Sequence, residues 1–512
     1  MLRLAPALVV ALGLAGVPGQ ALAASGPQRL AISGSHPVWA TPAAAAGRDP
    51  AGLAAYAAQV SDPGSALYGR YLTPAQYLQR FGPTTAQVRA VRQWLTGAGL
   101  RVTTVTSHYV GITGPEAALP AAFGTGLRYY RVDGVVQRAP QQPLTVPAAV
   151  ASAVLTVAGL ATSSATITPE ISNPLPQGSA ASTTECSQYW GQLPATGLPP
   201  ASGHTLAYRL CGYVPSQLAV AYGVAGSGLT GRGVTIAIVD PGASTTIAQD
   251  VNTYMSRHGT PPLRPGQLTQ YLPSDLASSC GTEPVSYDAE EHLDIEAAHG
   301  MAPDADIAYV AFDCSSDLDP LDAETEIVDG HLADIVSNSW GFSGGDSKLP
   351  AGLVPAFEQV FEQGAAEGIG FYFASGDDGD ESTVSANGQT GVTYPASDPW
   401  VTSVGGTSLA TPLIASIQAD AQQALGIPIG FANPAIYNRY GTPAYHDVTD
   451  DPLGPGITIA TVDALASPPA GDAPDYAVTL AHDTSLQATP GYDDVTGVGT
   501  PTAAFIRSYW RR

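Results

Sequence analysis

Short apolar runs alternate with amphipathic stretches along the second half of the chain. The runs GVTIAIVD (233–240), ADIAYVAF (305–312), ADIVSNSWG (333–341) and IGFYFASGDDG (369–379) each end in polar or glycine-rich residues. Between them lie helical patterns such as DAEEHLDIEAAHGMAP and LVPAFEQVFEQGAAEG. This alternation predicts an α/β fold, a parallel β-sheet with helices on both faces, whose functional residues follow the carboxyl ends of the strands.

The first third of the chain has a different pattern. Residues 62–105 contain a turn, two stretches with apolar residues three and four positions apart, Gly99 as a stop, and a β-branched strand. We therefore expect a separate α+β domain at residues 24–160. Residues 161–184 are rich in Ser, Thr and Pro and have little to bury, so they are predicted to form an exposed linker that a protease can cut.

The amino terminus has the layout of a signal peptide. Arg3 precedes an apolar run too short to span a bilayer, and Ala21-Leu22-Ala23 provides small residues for cleavage. Residues 1–23 are thus predicted to be removed during export, leaving an extracellular protein. No later apolar stretch is long enough for a transmembrane helix, so no membrane association is expected.

The cysteines all lie beyond residue 180. In an oxidising compartment an even number of cysteines predicts disulfides rather than a metal cluster. Proximity in the sequence favours Cys186 with Cys211, and Cys280 with Cys314.

Charge divides the chain at the linker. Residues 24–184 contain 10 Arg against 5 Asp and Glu, whereas residues 185–512 contain 9 Lys and Arg against 39 Asp and Glu. The acidic part argues against nucleic acid as a partner, and it suits an acidic medium in which carboxylate repulsion falls. A basic domain joined by a cleavable linker to an acidic one is typical of a zymogen, and the two parts should separate in acid.

Ser408 is the candidate nucleophile. It follows a glycine pair in VGGTSLATP and opens an apolar helix, whose amino-terminal dipole could stabilise an oxyanion. We expect Pro412 to lie in the first turn, where a missing N–H is tolerated. The alternative is that Thr407 and Ser408 only cap a helix.

Two groups could act as the base for this serine. A subtilisin-like arrangement would use His258 with Asp240, but the prolines that follow His258 oppose a helix there. In the predicted helix around 288–303, Glu290 and Asp294 are four residues apart and share one face. Two close carboxyl groups can share protons, so that one accepts the serine proton while the other orients it. The alternative is a solvated acidic helix face.

Further carboxylates follow strands or lie in glycine-rich loops. Asp377 comes after a buried strand, and a protonated carboxyl there could donate to an oxyanion, although a simple turn residue is the alternative. Asp447 and Asp493 lie in YHDVTDD and ATPGYDDVTGVGTP. Carboxylate and main-chain oxygens suit Ca²⁺, with ordinary loop structure as the alternative.

Together these motifs resemble the sedolisin (serine-carboxyl) peptidases, which include the kumamolisins, over nearly the whole chain. SDPGSALYGRYLTPAQYLQRFGPT is similar to their activation prodomain, and CGYVPSQLAVAYGV to the start of their catalytic domain. EEHLDIEAAHGMAPDADI, SNSWG, ASGDDG and GTSLATP are similar to their core motifs. The resemblance implies that Ser408 is the nucleophile, Glu290 the base, Asp294 its partner and Asp377 the oxyanion residue.

The resemblance also implies the fold, the cofactor and the partners. Residues 185–512 would form a subtilisin-like catalytic domain that acts in acid as a monomeric endopeptidase on proteins and peptides, with its own prodomain as inhibitor. One structural Ca²⁺ would be held by the side chains of Asp447 and Asp493. Main-chain oxygens of Val448, Thr489 and Gly491 would complete its ligands.

One departure from the family pattern lies beside the nucleophile. The family has two separate Gly-Gly-Thr stretches with several tens of residues between them, whereas here a single VGGTSLATP serves as both. This predicts an internal deletion that removes strand and cleft material. The alternative to an active enzyme is therefore a catalytically inactive secreted protein that retains the fold.

Overall fold

A computed structural model of the 512-residue chain shows its architecture. It describes residues 38–42, 49–132, 135–162, 167–169, 186–189, 191–200, 205–273, 284–314, 316–342, 348–350, 352–377, 379–382, 388, 390–405, 407–449, 460–464, 475–479 and 485–510. The predicted signal peptide lies outside these residues. Within them, no helix is both long enough and apolar enough to cross a membrane.

The N-terminal domain is an α+β unit, as predicted. Its elements are β1 (Val38–Pro42), α1 (Pro50–Ser61), α2 (Pro74–Arg80), α3 (Thr85–Gly97), β2 (Arg101–Val105), β3 (Val110–Thr113), α4 (Leu119–Phe123), β4 (Leu127–Val132), β5 (Val135–Pro140) and β6 (Val154–Ala158). Strands β2, β3, β1 and β6 form an antiparallel sheet in that order. Threonine capping boxes start α2 and α3, and α3 buries Val91 and Leu95.

The rest of the chain alternates strands and helices. Its elements are β7 (Ile167–Pro169), β8 (Ala207–Tyr208), α5 (Pro215–Ala221), β9 (Thr235–Pro241), α6 (Ile247–Arg257), β10 (Leu268–Tyr271), α7 (Pro284–Met301), β11 (Asp306–Phe312), α8 (Asp319–Gly330), β12 (Ile335–Asn338), β13 (Trp340–Phe342), α9 (Leu353–Glu367), β14 (Gly370–Ala374), β15 (Thr402–Val404), α10 (Thr407–Leu425), α11 (Asn433–Tyr437), β16 (Tyr445–His446), β17 (Ala460–Ala464), β18 (Asp475–Thr479), β19 (Thr500–Pro501) and α12 (Ala503–Arg507).

A parallel sheet of order β10-β11-β9-β12-β14-β15 forms the centre. In β9, Ile236 and Ile238 share a core with α6, α7 and α10, whereas Ala237 and Val239 share another with α8 and α9. Helices therefore cover both faces, which is why the strands are continuous apolar runs. This confirms the predicted fold class.

Trp340 anchors the turn between β12 and β13. Its fully buried ring lies 5.2 Å from the ring of Phe312, 5.6 Å from that of Phe373 and 5.7 Å from that of Phe342. Edge-on aromatic contacts of this kind fix orientation as well as burying area. The turn that carries Ser339 is therefore rigidly supported.

The N-terminal domain packs on helices of the C-terminal part of the chain. The backbone N–H of Leu72 donates to Ala366 of α9 at 3.0 Å, and the Tyr71 hydroxyl donates to the carbonyl of Ile429 at 2.6 Å. The Tyr109 hydroxyl also donates to Asp322 of α8. Side chains of α1 and α2 share an apolar cluster with residues of α9. The two parts are thus joined by apolar burial and hydrogen bonds as well as by the linker.

The predicted exposed linker is wrong for part of its length. Strand β7, inside residues 161–184, pairs antiparallel with β13, and Ile167 is buried in the same cluster as Trp340 and Phe342. An apolar side chain and free backbone groups at an available strand edge account for this pairing. Residues 163–166 and 170–184 lie outside the described residues.

The Cys186–Cys211 disulfide is present as predicted. Cys280 lies outside the described residues, so its predicted bond with Cys314 stays a prediction. The bonded pair encloses the segment that leads to β8, which joins β17 and β18 in a small sheet. That sheet has its own cluster of Ala195, Leu206 and Val462.

Replacing both Cys186 and Cys211 with serine should loosen this small sheet before the central one. Loop-closure entropy for a separation of 25 residues corresponds to about 3 kcal/mol of unfolding free energy. Limited proteolysis should therefore cut first within residues 186–211, while the central sheet stays protected. Equal resistance of the parent and the double variant in that segment would contradict this expectation.

Candidate active site

Helix α7 places a row of carboxyl groups inside the protein. Glu290, Glu291 and Asp294 are fully buried, so the alternative of a solvated acidic face is wrong. The Ser416 hydroxyl of α10 comes within 3.2 Å of the carbonyl oxygen of Ala298, and this contact joins the two helices. The predicted acid pair therefore lies between the sheet and α10.

Asp240 of β9 faces the same carboxyl groups. It is fully buried, and neither of its carboxylate oxygens has a hydrogen-bond partner among the described residues. Burial raises the pKa of Asp240 well above its ordinary value, and the negative charges of Asp294, Glu290 and Glu291 raise it further. Four acidic side chains thus occupy one low-dielectric space, which we call the carboxyl cluster: Asp240, Glu290, Glu291 and Asp294.

Ser339 connects this cluster to the predicted nucleophile. Its hydroxyl donates to Oδ2 of Asp294 at 2.5 Å and lies 3.4 Å from the carbonyl oxygen of Ser408. Burial raises the pKa of Asp294 well above its ordinary value, and the hydrogen bond from Ser339 opposes that rise. The structure therefore brings Asp294 and the backbone of Ser408 to the same hydroxyl group.

Ser408 is almost fully buried at the second residue of α10. The expectation that Pro412 lies in the first turn is wrong, because the helix begins at Thr407 and Pro412 lies inside it. Proline has no N–H, so it cannot donate to the carbonyl of Ser408, four residues earlier. This is the carbonyl that Ser339 approaches.

Asp377 lies on the loop that leaves β14, and it is half-buried. In the same loop the N–H of Ser375 donates to the carbonyl of Val404, the last residue of β15, at 3.0 Å. Because α10 begins close after β15, Asp377 and Ser408 follow neighbouring parallel strands. Their roles stay predictions, as does the internal deletion between β15 and α10.

His258 lies away from the carboxyl cluster. It is the carboxyl-terminal cap of α6, where its ring lies 4.5 Å from that of Tyr254. Helix α6 runs back along the sheet between the parallel strands β9 and β10, so its 11 residues carry His258 about 16 Å from the end where Asp240 lies. This geometry disfavours the subtilisin-like alternative of Asp240 with His258.

The predicted calcium residues lie in one loop region. Asp447 accepts a hydrogen bond from the N–H of Gly491 at 2.9 Å, and Asp493 accepts one from the N–H of Thr489 at 2.8 Å. Burial favours a higher pKa for Asp493, but N–H donors from Thr489, Thr496 and Val495 outweigh it and lower the pKa. The loop therefore holds an ionised carboxylate.

The described part of this loop region offers a cation the carboxylates of Asp447 and Asp493 together with main-chain oxygens. Among the described residues, no group of three or more His, Cys, Asp or Glu side chains could hold a metal ion. A cation here would therefore need main-chain oxygens, such as those of Val448, Thr489 and Gly491. A pair of carboxylates with carbonyl oxygens fits the hard-donor chemistry of Ca²⁺.

Sequence reasoning missed two members of this site. The sequence patterns indicate Asp240 only as a partner of His258, and Ser339 only as part of the motif SNSWG. A signal for Asp240 existed, because it is a charged residue at the end of an apolar strand. For Ser339, the contact with Asp294 joins residues 45 positions apart, which no local pattern indicates.

Two family descriptions match the chain. One is Pro-kumamolisin, activation domain, over residues 45–163, and the other is the Subtilase family over residues 231–406. The chain is 29% identical to sedolisin of Pseudomonas sp. (strain 101), with 71% of this chain and 59% of that protein covered. It is 30% identical to kumamolisin of Bacillus sp. (strain MN-32), with 58% and 49% covered.

A third relative is xanthomonalisin of Xanthomonas sp. (strain T-22), which is 27% identical with 71% of this chain and 44% of that protein covered. The chain thus spans between 44% and 59% of the length of these relatives. A solved structure of Pseudomonas sedolisin, a serine-carboxyl proteinase complexed with two molecules of pseudo-iodotyrostatin, has 20% identity and a TM-score of 0.46. The matched region covers 58% of this chain and 98% of the sedolisin chain.

Replacing Asp240 with asparagine should stabilise the protein at neutral pH. The pKa of Asp240 is higher in the folded state than in the unfolded chain, where it is about 3.9. Its contribution to stability is therefore fully present below that unfolded value and is lost as pH rises toward the folded pKa. Asp240→Asn removes this loss, so its Tm should exceed the parent Tm by about 5 °C near pH ~7.5.

At pH ~3, Asp240 is protonated in both the folded and the unfolded chain. The parent and Asp240→Asn should therefore have similar Tm values at that pH. The control is Asp306→Asn, because Asp306 is exposed at the start of β11 and forms only an exposed ion pair with Arg264. A Tm difference for Asp240→Asn that does not grow with pH would show that Asp240 is not the buried acid described above.

Proposed function

From the premise that this chain belongs to the family of sedolisin and kumamolisin, we propose that it is the secreted zymogen of a serine-carboxyl endopeptidase. It would hydrolyse peptide bonds in acid. The observation that carries this proposal is the position of Ser339, whose hydroxyl holds Asp294 and reaches the backbone of Ser408. These two contacts support a mechanism that uses a serine and buried carboxyl groups.

The proposed reaction is acyl transfer through Ser408. Glu290 takes the proton of the Ser408 hydroxyl as its oxygen attacks the substrate carbonyl, and Asp294 keeps Glu290 in place. Protonated Asp377 donates to the tetrahedral oxyanion, and Glu290 returns its proton to the leaving amine. Water then attacks the acyl-enzyme by the same route and releases the carboxylic acid.

Acid operation is supported by the carboxyl groups that the fold buries. Besides the carboxyl cluster, burial raises the pKa of Glu296, Glu362 and Asp420 to about 7. Such acids contribute most to stability when protonated, and this contribution is lost as pH rises from their unfolded values toward 7. The formal net charge of −24 at pH 7 adds repulsion that acid relieves.

The N-terminal domain is proposed to act as an intramolecular inhibitor. Strand β7 follows that domain and pairs with β13, the strand that begins directly after Ser339. It also contacts α7. This segment therefore occupies a strand edge beside the candidate site, where an extended peptide could otherwise pair. Protein and peptide substrates are the proposed partners, and the mature enzyme is proposed to be a monomer.

One structural Ca²⁺ is proposed for the loop region of Asp447 and Asp493. The two carboxylates and main-chain oxygens of Val448, Thr489 and Gly491 would hold it. When bound, the cation would supply charge that fixes the loops that follow β16 and precede β19. The hydrogen bonds from Gly491 and Thr489 already hold both carboxylates against the same loop.

A second candidate is an inactive secreted homologue. The observation that favours it is the short connection from β15 to α10, which leaves only residues 405 and 406 between Val404 and Thr407. Such a protein would retain the fold and the loops without cleaving peptides. Processing of the precursor distinguishes the two functions.

Incubation of the purified precursor at about pH 4, where carboxyl groups begin to protonate, should release the N-terminal domain and produce peptide cleavage. Ser408→Ala and Glu290→Ala should each lower kcat/KM by roughly 10³-fold or more. The matched control is Glu296→Gln, half-buried on the same helix, and His258→Ala should also remain active. Unchanged processing in both Ser408→Ala and Glu290→Ala would overturn the proposed roles, and no processing by the parent would favour the inactive homologue.

Calcium should stabilise the protein in thermal melts followed by circular dichroism. A saturating concentration should raise Tm by about 5 °C relative to chelator-treated protein. Asp447→Asn should abolish most of this gain, because it removes a charged ligand, whereas Asp306→Asn should retain it. If added Ca²⁺ leaves the Tm of the parent protein unchanged at neutral pH, this result would contradict the proposed site.

A further inference from the structure

Ser339 has a fixed position and a single proton to donate. Its neighbour Asn338 donates to the carbonyl of Tyr372 at 3.3 Å and accepts from the indole N–H of Trp340 at 2.9 Å. Because β14 and the aromatic cluster hold both flanking residues, the Ser339 hydroxyl can turn but its carbon atoms cannot shift far. A hydroxyl has one donor, so it serves either Asp294 or Ser408 at a given moment.

The protonation of Asp294 decides which of the two receives that proton. When Asp294 is ionised it can only accept, so Ser339 donates to Oδ2, which lies 2.5 Å from the serine oxygen. When Asp294 is protonated on Oδ2, it can donate to Oγ of Ser339. The serine proton is then available for the carbonyl oxygen of Ser408, 3.4 Å away.

The carbonyl oxygen of Ser408 lies within hydrogen-bond reach of this proton, and it has two lone pairs with which to accept. In an α-helix the N–H four residues later normally binds that carbonyl, but proline has none. The acceptor therefore lies at the residue that carries the proposed nucleophile. Rearrangement of one hydroxyl would thus change the hydrogen bonding of the backbone at Ser408.

The groups that face Asp294 are acidic or neutral as far as the structure describes them. Asp240 faces it from β9, and Glu290 and Glu291 belong to its own helix. Helix α10 brings Ser408, while its Asp420 accepts from the N–H of Gly231 instead.

Within the described part of the chain, the other elements packed on α7 bring no further charge to Asp294. Asp250 of α6 binds His292 at 3.2 Å, with both side chains partly exposed. The sequences of α5 and β7 contain no ionisable side chain. Donation from Ser339 is therefore a specific influence that favours the ionised form of Asp294.

We propose that Ser339 is a positioning residue that holds Asp294 by its hydroxyl and couples the protonation of Asp294 to the backbone of Ser408. This proposal rests on the proposed function, since it assigns Ser339 a part in the same proton-transfer system. Its signature is a pH dependence, which a merely structural serine would not produce.

The test compares Ser339→Ala with Ser337→Ala. Ser337 is an equally buried serine of β12 whose hydroxyl has no hydrogen-bond partner among the described residues. Loss of a charge-assisted hydrogen bond should lower kcat by about 10-fold or more in Ser339→Ala. It should also move the acid limb of the pH profile upward by about one pH unit, because the pKa of Asp294 rises when its donor is lost. Ser337→Ala should leave the limb in place.

A second measurement does not depend on activity. In a Ser408→Ala background, which cannot process itself, the Tm lost on adding Ser339→Ala should grow as pH rises through the raised folded pKa of Asp294, where that carboxyl ionises. The loss from Ser337→Ala should be independent of pH. Ser339→Thr retains a hydroxyl and should restore part of the pH-dependent stability.

The outcomes separate the two proposals. An inactive parent that still shows a growing Tm loss for Ser339→Ala contradicts the proposed function but supports the coupling of Ser339 to Asp294. A Tm loss that is the same at every pH, together with an unmoved acid limb in an active enzyme, would overturn the role of Ser339.

Discussion

The burial of several carboxyl groups in one space is the constraint on which the rest of the structure depends. A lone ionised carboxylate in a protein interior costs so much free energy that it takes up a proton instead. This free-energy cost of ionisation applies to every member of the carboxyl cluster: Asp240, Glu290, Glu291 and Asp294. A negative charge on one member raises the cost for the others. Their ionisation therefore belongs to the group rather than to any single residue.

Elements around the cluster compensate for part of this cost. Ser339 donates to Asp294, and the N–H of Ser244 donates to Glu291 at 2.5 Å. The aromatic packing of Trp340 keeps the turn in position, and α10 closes the space from the other side. The acidic interior and the strongly acidic composition point to the same condition, a medium in which most of these groups carry protons.

The sequence predicted the frame of this arrangement better than its contacts. Periodicity placed the strands and α7 correctly because each pattern is local and repeated. It also put Glu290 and Asp294 on one helix face, since four residues make about one turn. Asp240 and Ser339 were not placed with them, because their approach depends on strand order and on packing between segments some 50 residues apart. Pro412 lies deeper in its helix than expected because the helix starts at Thr407. The linker pattern does not reveal that Ile167 is buried, because its partner strand lies far along the chain.

In the zymogen proposed above, the pairing of β7 with β13 would affect the kinetics of activation. While the linker is intact, the strand and the domain before it are tethered to the catalytic part, so rebinding is intramolecular and independent of protein concentration. Once the linker is cut, the same contacts belong to two molecules, and dilution alone shifts them toward separation. A single cleavage would therefore turn a concentration-independent inhibitor into one that weakens as the protein spreads into a larger volume.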